Sequence, residues 1–361
     1  MKYTLGVEEE FHLVDLDTRD LVPLAEEIEA RASRKVENGV DSELYRSMIE
    51  IKTTVCADLA EVRSQLGTLR SAVAAAAGEL GAGVLAASTH PFSTWRGEPP
   101  GADERYQRMA ATYRQLVREQ HIVGCHVHVG IPDPDEVILV MNRARALLGP
   151  LLALSANSPY WLGADTGFAS WRTQVWRRWP SSGMPDPFAS RAEFDAAIAE
   201  LTALRVVPDA TKLYWDLRPS VRYPTLEFRV TDVCITIDDT VMVAGLFRAI
   251  ARHCHEAALA GEPEDDVSVD VLRSGVWRAA RDGLAGQLID VPGRRLASAA
   301  EVVRGLVDRL RPALEANGEW EEVSTLVERV LAKGNGADRQ RAALARRGEM
   351  TDVVDTALVR G

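Results

Sequence analysis

The chain has 361 residues, of which 46% are hydrophobic and 26% charged, and its formal net charge is −11. This composition is typical of a globular protein, and the length allows one large domain or two ordinary ones. Because a nucleic-acid surface needs a basic patch, the acidic balance argues against a nucleic-acid partner.

Targeting and redox signals are weak. The start, MKYTLGVEEE, has no apolar run of the kind found in a signal peptide, and the most apolar stretch, SAVAAAAGELGAGVLAAS, is small-sided and contains Glu79. We therefore expect no membrane partner. The four cysteines are far apart without CxxC spacing, which predicts reduced, buried thiols in a cytoplasmic protein.

Strands are predicted mainly in the first 236 residues. The strand-like segments are 3–14, 41–56, 83–88, 122–131, 212–217 and 224–236. Helical patterns cover 58–80, 133–149, 190–204 and 238–260. Asp58 and Asp133 are the expected N-caps of the first two helices, and Ser190 and Glu193 form a capping-box pattern at the third.

Beyond about residue 268 the pattern is helical, apart from the turn-rich LIDVPGRR. Strands early and helices late predict an α+β fold, with an antiparallel or mixed sheet backed by helices. We expect a single domain over 1–361, sheet-rich over 1–260 and helical over 268–361. The segment 158–188 reads as a long loop whose four tryptophans argue against disorder, and we interpret it as a lid.

Four predicted strands share one design, an apolar face and a face of charged or imidazole groups. In LGVEEEFHLVD, alternation places Glu8, Glu10 and His12 on one face, whereas Glu9 shares the apolar face. The other strands place on one face Glu50 with Lys52, His126 with His128, and Glu227 with Arg229. A solvated sheet face is the alternative reading of each strand alone.

Such a face suits a hard cation. Carboxylate oxygens with a histidine favour Mg²⁺ or Mn²⁺, and a bound ion relieves the repulsion within the cluster. Mg²⁺ also shares its ligands with phosphates, and Arg229 beside Glu227 is placed to hold one. The chain has no Walker A sequence, so a nucleotide would be held by metal and arginine.

The motifs resemble those of a known family. GVEEEFHLVD, SELYRSMIEIKTTVC, STHPF, CHVHVGIPD, NSPYWLGADTG, WDLRPSVRYPTLEFRVTDV and GNGADRQR follow the order seen in the glutamate–cysteine ligase type 2 family, the YbdK-like carboxylate–amine ligases. The resemblance implies a glutamine synthetase-like fold: a curved, mostly antiparallel sheet with helices on its outer face and an active-site funnel on its inner face. It also implies a homodimer.

The activity implied by the resemblance is ATP-dependent amide formation between a small-molecule carboxylate and an amine, through an acyl phosphate. Glutamate and cysteine are the substrates that the family name suggests. By motif position, the implied metal ligands are Glu8, Glu10, Glu50, Glu227 and one of His126 and His128. Arg229 resembles the arginine that contacts the transferred phosphate, and Glu43 is a further candidate in the funnel.

Other basic residues are candidates for anions. Substrate carboxylates would pair with Arg172, Arg178, Arg218 or Arg222, since arginine binds a carboxylate through two hydrogen bonds. Arg339 and Arg341, in GNGADRQR, follow a glycine turn at a helix N-terminus, where a phosphate could bind. Lys52 stands where the family commonly has a polar residue, which predicts altered metal affinity or contact with a substrate carboxylate.

Two other functions remain open from the sequence. An HxH strand also occurs in zinc hydrolases, which would need further histidines and aspartates at later strand ends. A non-catalytic relative that binds a nucleotide or an amino acid would keep the fold, and the lysine at position 52 is the one feature in its favour.

Overall fold

The structure is a computed structural model that describes residues 2–96, 98, 101, 104–265 and 267–360. Both ends of the expected domain, residues 1 and 361, lie outside the described residues. The strands are β1 Leu5–Asp15, β2 Val40–Ser42, β3 Met48–Lys52, β4 Ala82–Leu85, β5 Gly124–Gly130, β6 Tyr160–Trp161, β7 Ala164–Asp165, β8 Leu217–Pro219, β9 Thr225–Asp232, β10 Gln287–Asp290 and β11 Arg295–Ser298.

Helices occupy much of the remaining chain. They are α1 Ala25–Ala32, α2 Leu59–Gly78, α3 Glu104–Tyr113, α4 Gln115–Arg118, α5 Pro134–Ala144, α6 Leu148–Ser155, α7 Trp171–Trp176, α8 Arg191–Ala203, α9 Ile237–Leu259, α10 Val269–Asp282, α11 Ala299–Asn317, α12 Trp320–Lys333, α13 Gly336–Arg347 and α14 Met350–Ala357. Two short 3₁₀ turns lie at Arg145–Leu147 and Ala210–Lys212.

The main sheet has the strand order β2-β3-β1-β5-β9-β8, and β4 pairs with the second half of β1. Every pairing in it is antiparallel. The register places Glu10 opposite Glu50, and Glu8 opposite both Lys52 and His126. One strand further along, Glu227 lies between His128 and Arg218. The antiparallel sheet backed by helices confirms the α+β expectation.

Helices cover the apolar face of this sheet. The central helix α9 packs on β1 and β5, with α2, α5 and α6 beside it. Phe228 of β9 stacks on Phe247 of α9, with ring centroids 4.3 Å apart. Burying such a side chain contributes roughly 1.5–3 kcal/mol. Because the buried core continues into α11 and α12 through residues such as Leu310 and Val323, the late helices share one core with the sheet.

Side-chain caps predicted from the sequence lie at the starts of three helices. The Asp58 and Asp133 side chains accept backbone N–H groups at the starts of α2 and α5, which confirms both N-caps. Ser190 caps α8, but the capping box is incomplete because the Glu193 carboxylate bonds to the Ala189 N–H instead.

The strand predictions were wrong in three places. Segment 41–56 is not one strand, because a turn separates β2 from β3. Segment 212–217 begins at the end of a 3₁₀ turn and reaches β8 only at its last residue, Leu217. The turn-rich LIDVPGRR contributes to the β10–β11 hairpin within the helical part.

One helical run passes a length and composition test for a membrane span. Pro134–Ser155 covers 22 residues and contains an 18-residue window with a mean hydropathy of 1.6, of which 78% is buried inside the protein. It comprises α5, the first 3₁₀ turn and α6, which pack against α9 and α10. The core helices of soluble proteins give the same signal.

Candidate active site

The uncovered face of the sheet forms the floor of a cavity of about 460 Å³. Its walls come from β2, from α3, from the 158–188 segment and from residues 211–223, which include β8. The ionisable lining residues are Glu8, Glu10, Asp41, Glu43, Glu50, Lys52, His126, His128, Lys212, Arg218, Arg222, Glu227 and Arg229, and the aromatic ones are Tyr106, Trp176, Trp179, Tyr214 and Tyr223. Acidic groups gather on β1–β3 and basic groups on β8–β9.

Two overlapping groups in this cavity have the donors of a metal site. In Glu8, His126 and Glu227, one donor atom from each residue lies within 4.8 Å of the others, and the same holds for Glu10, Glu50 and His126. The His126 Nε2 atom is buried without a hydrogen-bond partner among the described residues. A carboxylate–imidazole donor set with an unpartnered ring nitrogen fits Mg²⁺ or Mn²⁺.

The two histidines of the HxH motif have different surroundings. His126 Nδ1 lies 3.4 Å from a Glu8 carboxylate oxygen, whereas His128 Nδ1 bonds to the Thr225 hydroxyl at 2.9 Å. Only His126 belongs to the two donor groups found among the described residues. Between the two imidazole candidates, the geometry therefore favours His126.

Burial and crowding perturb the carboxylates. Burial and the Glu43 carboxylate raise the pKa of Glu10 to about 7. Burial, together with nearby carboxylates, raises the pKa of Glu50 well above its usual range. Glu8 behaves oppositely: burial alone would raise its pKa, but hydrogen bonds to His126 and His128 hold it well below the usual range. A divalent cation would relieve this crowding.

The protonation state of His126 suits it to act as a metal ligand. Burial and the Arg229 charge lower the pKa of His126 to about 3. Its ring is therefore neutral near pH 7, and a neutral imidazole offers a lone pair.

Glu227 holds two arginines at the basic end of the cavity. Arg218 Nε donates to one carboxylate oxygen at 2.8 Å, and Arg229 Nη1 donates to the other. Burial would raise the pKa of Glu227, but the Arg229 and Arg218 charges hold it well below its usual range. The pairing register shifts by one residue between Cys125 and Val127, beside Arg229. Bulges of this kind re-aim side chains near active sites.

The segment 158–188 forms a wall of the cavity and contains β6, β7 and α7, so the long-loop expectation is wrong, while the lid interpretation stays a prediction. Asp232 accepts hydrogen bonds from the Ser158 and Ser170 hydroxyls at 2.7 and 2.9 Å, which fastens the segment to β9. Trp176 faces the cavity, and the Arg229 guanidinium lies 5.3 Å from its ring centroid. Buried hydrogen bonds of this kind are typical of fixed structure.

Several predicted anion-binding arginines lie elsewhere. Arg172 is buried behind the cavity wall, where its Nη2 donates to the Arg229 carbonyl at 3.3 Å. Arg178 pairs with Glu119 outside the cavity lining. Lys52 and Arg218 line the cavity, but carboxylates of the protein already bind them. Arg222 lines it with an exposed side chain and, among the described residues, has no carboxylate within 4.0 Å.

The structure does not favour the phosphate role predicted for Arg339 and Arg341, since both are paired with carboxylates. Arg339 Nη1 donates to Asp239 at 2.7 Å, and Arg341 pairs with Asp165 at 2.8 Å. Neither lines the cavity. A capping box between Asn335 and Asp338 closes their helix start, and the Ala337 N–H donates to the Ala156 carbonyl, so these three amides are already bonded.

Some lining residues escaped the sequence analysis. Asp41 lies opposite Glu50 in the β2–β3 register, and its alternation with Glu43 was the signal available for it. Lys212 and Tyr214 lie in an irregular segment, and Tyr106 and Met109 lie on the separate helix α3. No local pattern marks these residues, since only the tertiary fold brings them to the cavity.

The fold is that of the glutamine synthetase-like ligases. A glutamate–cysteine ligase from Francisella tularensis, solved in complex with AMP, superposes with a TM-score of 0.75 at 12% identity, covering 99% of this chain and 88% of that one. A bifunctional glutathione synthetase from Pasteurella multocida gives 0.74 at 15% identity, covering 98% and 52%. At these identities the likeness shows the fold alone.

The family is shown by sequence. The profile of glutamate–cysteine ligase family 2 matches residues 4–357, and the chain belongs to this family. "Putative glutamate–cysteine ligase 2-2" of Mycolicibacterium smegmatis is 44% identical over 98% of this chain and 88% of its own length. "Putative glutamate–cysteine ligase 2-3" of Frankia alni is 43% identical over 98% of this chain. The chain spans only 41% of that second relative.

Proposed function

We propose that this protein is an ATP-dependent carboxylate–amine ligase that forms an amide bond through an acyl phosphate. The observation that carries the proposal is the convergence of Glu8, Glu10, Glu50, His126 and Glu227 in one cavity, with Arg229 beside them. Membership of glutamate–cysteine ligase family 2 supports it. A zinc hydrolase is disfavoured, because β8 and β9 contribute glutamate and arginine to the cavity rather than further histidines.

Mg²⁺ or Mn²⁺ would be held by Glu8, Glu10, Glu50, Glu227 and His126. When bound, the ions neutralise the triphosphate and the charge that develops on the transferred phosphoryl group. The protein's own carboxylates set where the ions lie, because they project from paired strands of a hydrogen-bonded sheet.

Arg229 is the proposed phosphoryl-stabilising residue. Its guanidinium stays close to the metal-binding face because Glu227 bonds to Nη1 and Trp176 stacks beside it. The Trp176 ring is itself fixed, since its Nε1 donates to the Tyr214 carbonyl at 2.9 Å. A donor held in place before the reaction stabilises transition-state charge without reorganisation. Arg218 acts through Glu227 as a positioning residue.

We place the acid substrate toward the basic end of the cavity. Arg222 is the strongest candidate anchor for a second carboxylate, as in an amino-acid substrate, since it has no carboxylate partner within 4.0 Å among the described residues. Glutamate as the acid and cysteine as the amine are the first pair to test, because relatives carry that name.

We propose that residues 1–361 work as one domain, as a cytoplasmic homodimer acting on small molecules, without nucleic acid or membrane. The net charge of −11 supports the absence of a nucleic-acid partner. Light scattering on the purified protein tests the dimer directly.

Release of ADP from Mg-ATP, with a panel of carboxylic acids and hydroxylamine as a small amine, tests the activity. We expect release that depends on one acid, with formation of the matching hydroxamate. ATP binding without release for any acid, in Mg²⁺ or Mn²⁺ and also with cysteine as the amine, would support a non-catalytic nucleotide-binding protein instead. Stoichiometric zinc and hydrolysis without ATP would support the hydrolase.

A further inference from the structure

Lys52 sits inside the acidic half of the cavity as a cation supplied by the protein. Its Nζ lies 2.6 Å from Glu50 Oε2 and 3.1 Å from Asp41 Oδ2. The antiparallel β2–β3 register places Asp41 directly opposite Glu50, and Lys52 follows two residues later on the same face. One ammonium group therefore bridges two carboxylates.

Glu50 is also a donor in the Glu10–Glu50–His126 group. Its side chain is 11% exposed, so water screens it little, whereas Lys52 is 37% exposed and reaches toward solvent. The Lys52 ammonium group, 2.6 Å from Glu50 Oε2, occupies a lone pair of that carboxylate oxygen. Its positive charge also repels a second cation nearby. A metal ion in this group has to displace Lys52 or share Glu50 with it.

In the Glu8–His126–Glu227 group, arginines rather than Lys52 neutralise a carboxylate charge. Glu227 pairs with Arg218 and Arg229 whatever residue stands at position 52. Lys52 Nζ forms no ion pair within 4.0 Å with Glu8 or Glu227 among the described side chains, although Glu8 lies opposite Lys52 in the β1–β3 register. Because its direct ion pair is with Glu50, a change at Lys52 should act more strongly on the Glu10–Glu50–His126 group.

We propose that Lys52 is an internal counter-cation of Glu50 that weakens divalent-metal binding at the Glu10–Glu50–His126 group relative to the Glu8–His126–Glu227 group. The inference rests on the metal sites of the proposed function. It makes the two groups unequal: since they share the one unpartnered nitrogen of His126, an ion would be held more readily with Glu8 and Glu227, and a second ion beside Glu10 and Glu50 would be held more weakly.

Mn²⁺ titration of the nucleotide-free protein, followed by electron paramagnetic resonance of the free ion, tests the inference. We expect Lys52→Gln and Lys52→Met to tighten the weaker of two Mn²⁺ sites by about tenfold or more, since one adjacent positive charge is removed. Lys52→Met keeps the aliphatic stem and offers no oxygen ligand, so a shared gain in both variants is a charge effect. Thermal melting confirms that each variant is folded.

Arg222→Gln is the matched control, because it removes one positive charge from the same cavity without touching Glu50. We expect it to change Mn²⁺ affinity much less than Lys52→Met. In the double variant Lys52→Met with Glu50→Gln, the gain should disappear.

The outcomes separate this inference from the proposed function. Unchanged or weaker Mn²⁺ binding in both Lys52 variants overturns the inference and leaves the metal sites standing. An equal gain in Arg222→Gln, or a gain that survives Glu50→Gln, also overturns it, because the effect is then general to the cavity. Wild-type protein and variants that bind no Mn²⁺ at all overturn the inference together with the proposed metal sites.

Discussion

Glu9 and Arg70 form a buried ion pair on the side of β1 that faces away from the cavity. Arg70 Nε donates to Glu9 Oε2 at 2.8 Å, and the Thr240 hydroxyl donates to Oε1 at 2.6 Å. Arg70 also donates to the Cys234 and Ile235 carbonyls at 2.9 Å. The three consecutive glutamates thus divide by alternation, with Glu9 holding helices α2 and α9 to the sheet and its neighbours lining the cavity.

We predict that Glu9→Gln lowers the free energy of unfolding by about 3–5 kcal/mol, because it leaves the Arg70 charge buried without a counter-charge. Urea denaturation measures the change. Glu79→Gln is the control: its pairs with Arg31 and Lys35 are well exposed, so its effect should stay within about 1 kcal/mol. Equal stabilities for Glu9→Gln and wild type would contradict a stabilising role for this pair.

Replacing the phosphoryl-stabilising arginine should affect turnover far more than folding. We predict that Arg229→Ala lowers acid-dependent ADP release by at least about 10²–10³, the usual cost of losing one fixed donor to transition-state charge. Glu227→Gln should give a similar loss, since it removes the charge that holds Arg229 and Arg218.

The matched control is Arg304→Ala, which breaks an exposed pair with Glu328 on the late helices. It should keep wild-type turnover. Near-normal ADP release in both Arg229→Ala and Glu227→Gln, with folded protein, would show that the site assignment is incorrect.

We expect His90 to be one of the buried histidines that make the stability of the protein depend on pH. Its Nδ1 accepts the Ser93 backbone N–H at 2.9 Å, so Nε2 carries the proton and donates to the Arg19 carbonyl at 2.8 Å. Burial lowers the pKa of His90 to about 4, from the ordinary histidine value of 6.5. Because the unfolded chain takes up this proton first, stability is full above about pH 6.5 and falls as the pH drops toward about 4.

The His90 contribution corresponds to about 3 kcal/mol across that interval. We predict that His90→Gln is less stable at pH 7 but loses less stability between about pH 7 and about pH 4.5 than the wild type does. Urea denaturation at a series of pH values measures both. A variant whose stability falls with the same slope as the wild type would exclude a contribution from His90.

The start of α13 is packed too closely for any side chain at position 336. A Cβ atom on Gly336 would lie 2.2 Å from Asn157 Oδ1. Asn157 cannot retreat, since its Nδ2 donates to the Ala86 and Val233 carbonyls at 2.7 and 2.8 Å. We predict that Gly336→Ala destabilises the protein by about 1–3 kcal/mol or more.

Gly305→Ala is the paired control, because a Cβ on this exposed position of α11 would meet nothing within 4 Å. Alanine should leave stability unchanged or raise it by up to about 1 kcal/mol. Thermal unfolding of the two variants side by side measures the difference. Similar melting temperatures would mean that the contact at Gly336 relaxes without cost.

Local chemistry in the sequence determined much of the fold. Period-two alternation assigned Glu8 and Glu10 to one face of β1 and Glu9 to the other, because a strand's side chains alternate whatever lies around it. The caps at Asp58 and Asp133 were equally local, since each side chain bonds an amide two or three residues away. The family motifs supplied the fold and the role expected of each site residue.

Only the tertiary structure decided which charges remain available to a ligand. In sequence, three arginines resemble those that bind substrates, but each pairs with a carboxylate from another part of the chain. The pairs are Arg178 with Glu119, Arg339 with Asp239, and Arg341 with Asp165. Arg222 has no such partner among the described residues. Long-range ion pairs depend on how elements distant in sequence pack, so no local pattern encodes them.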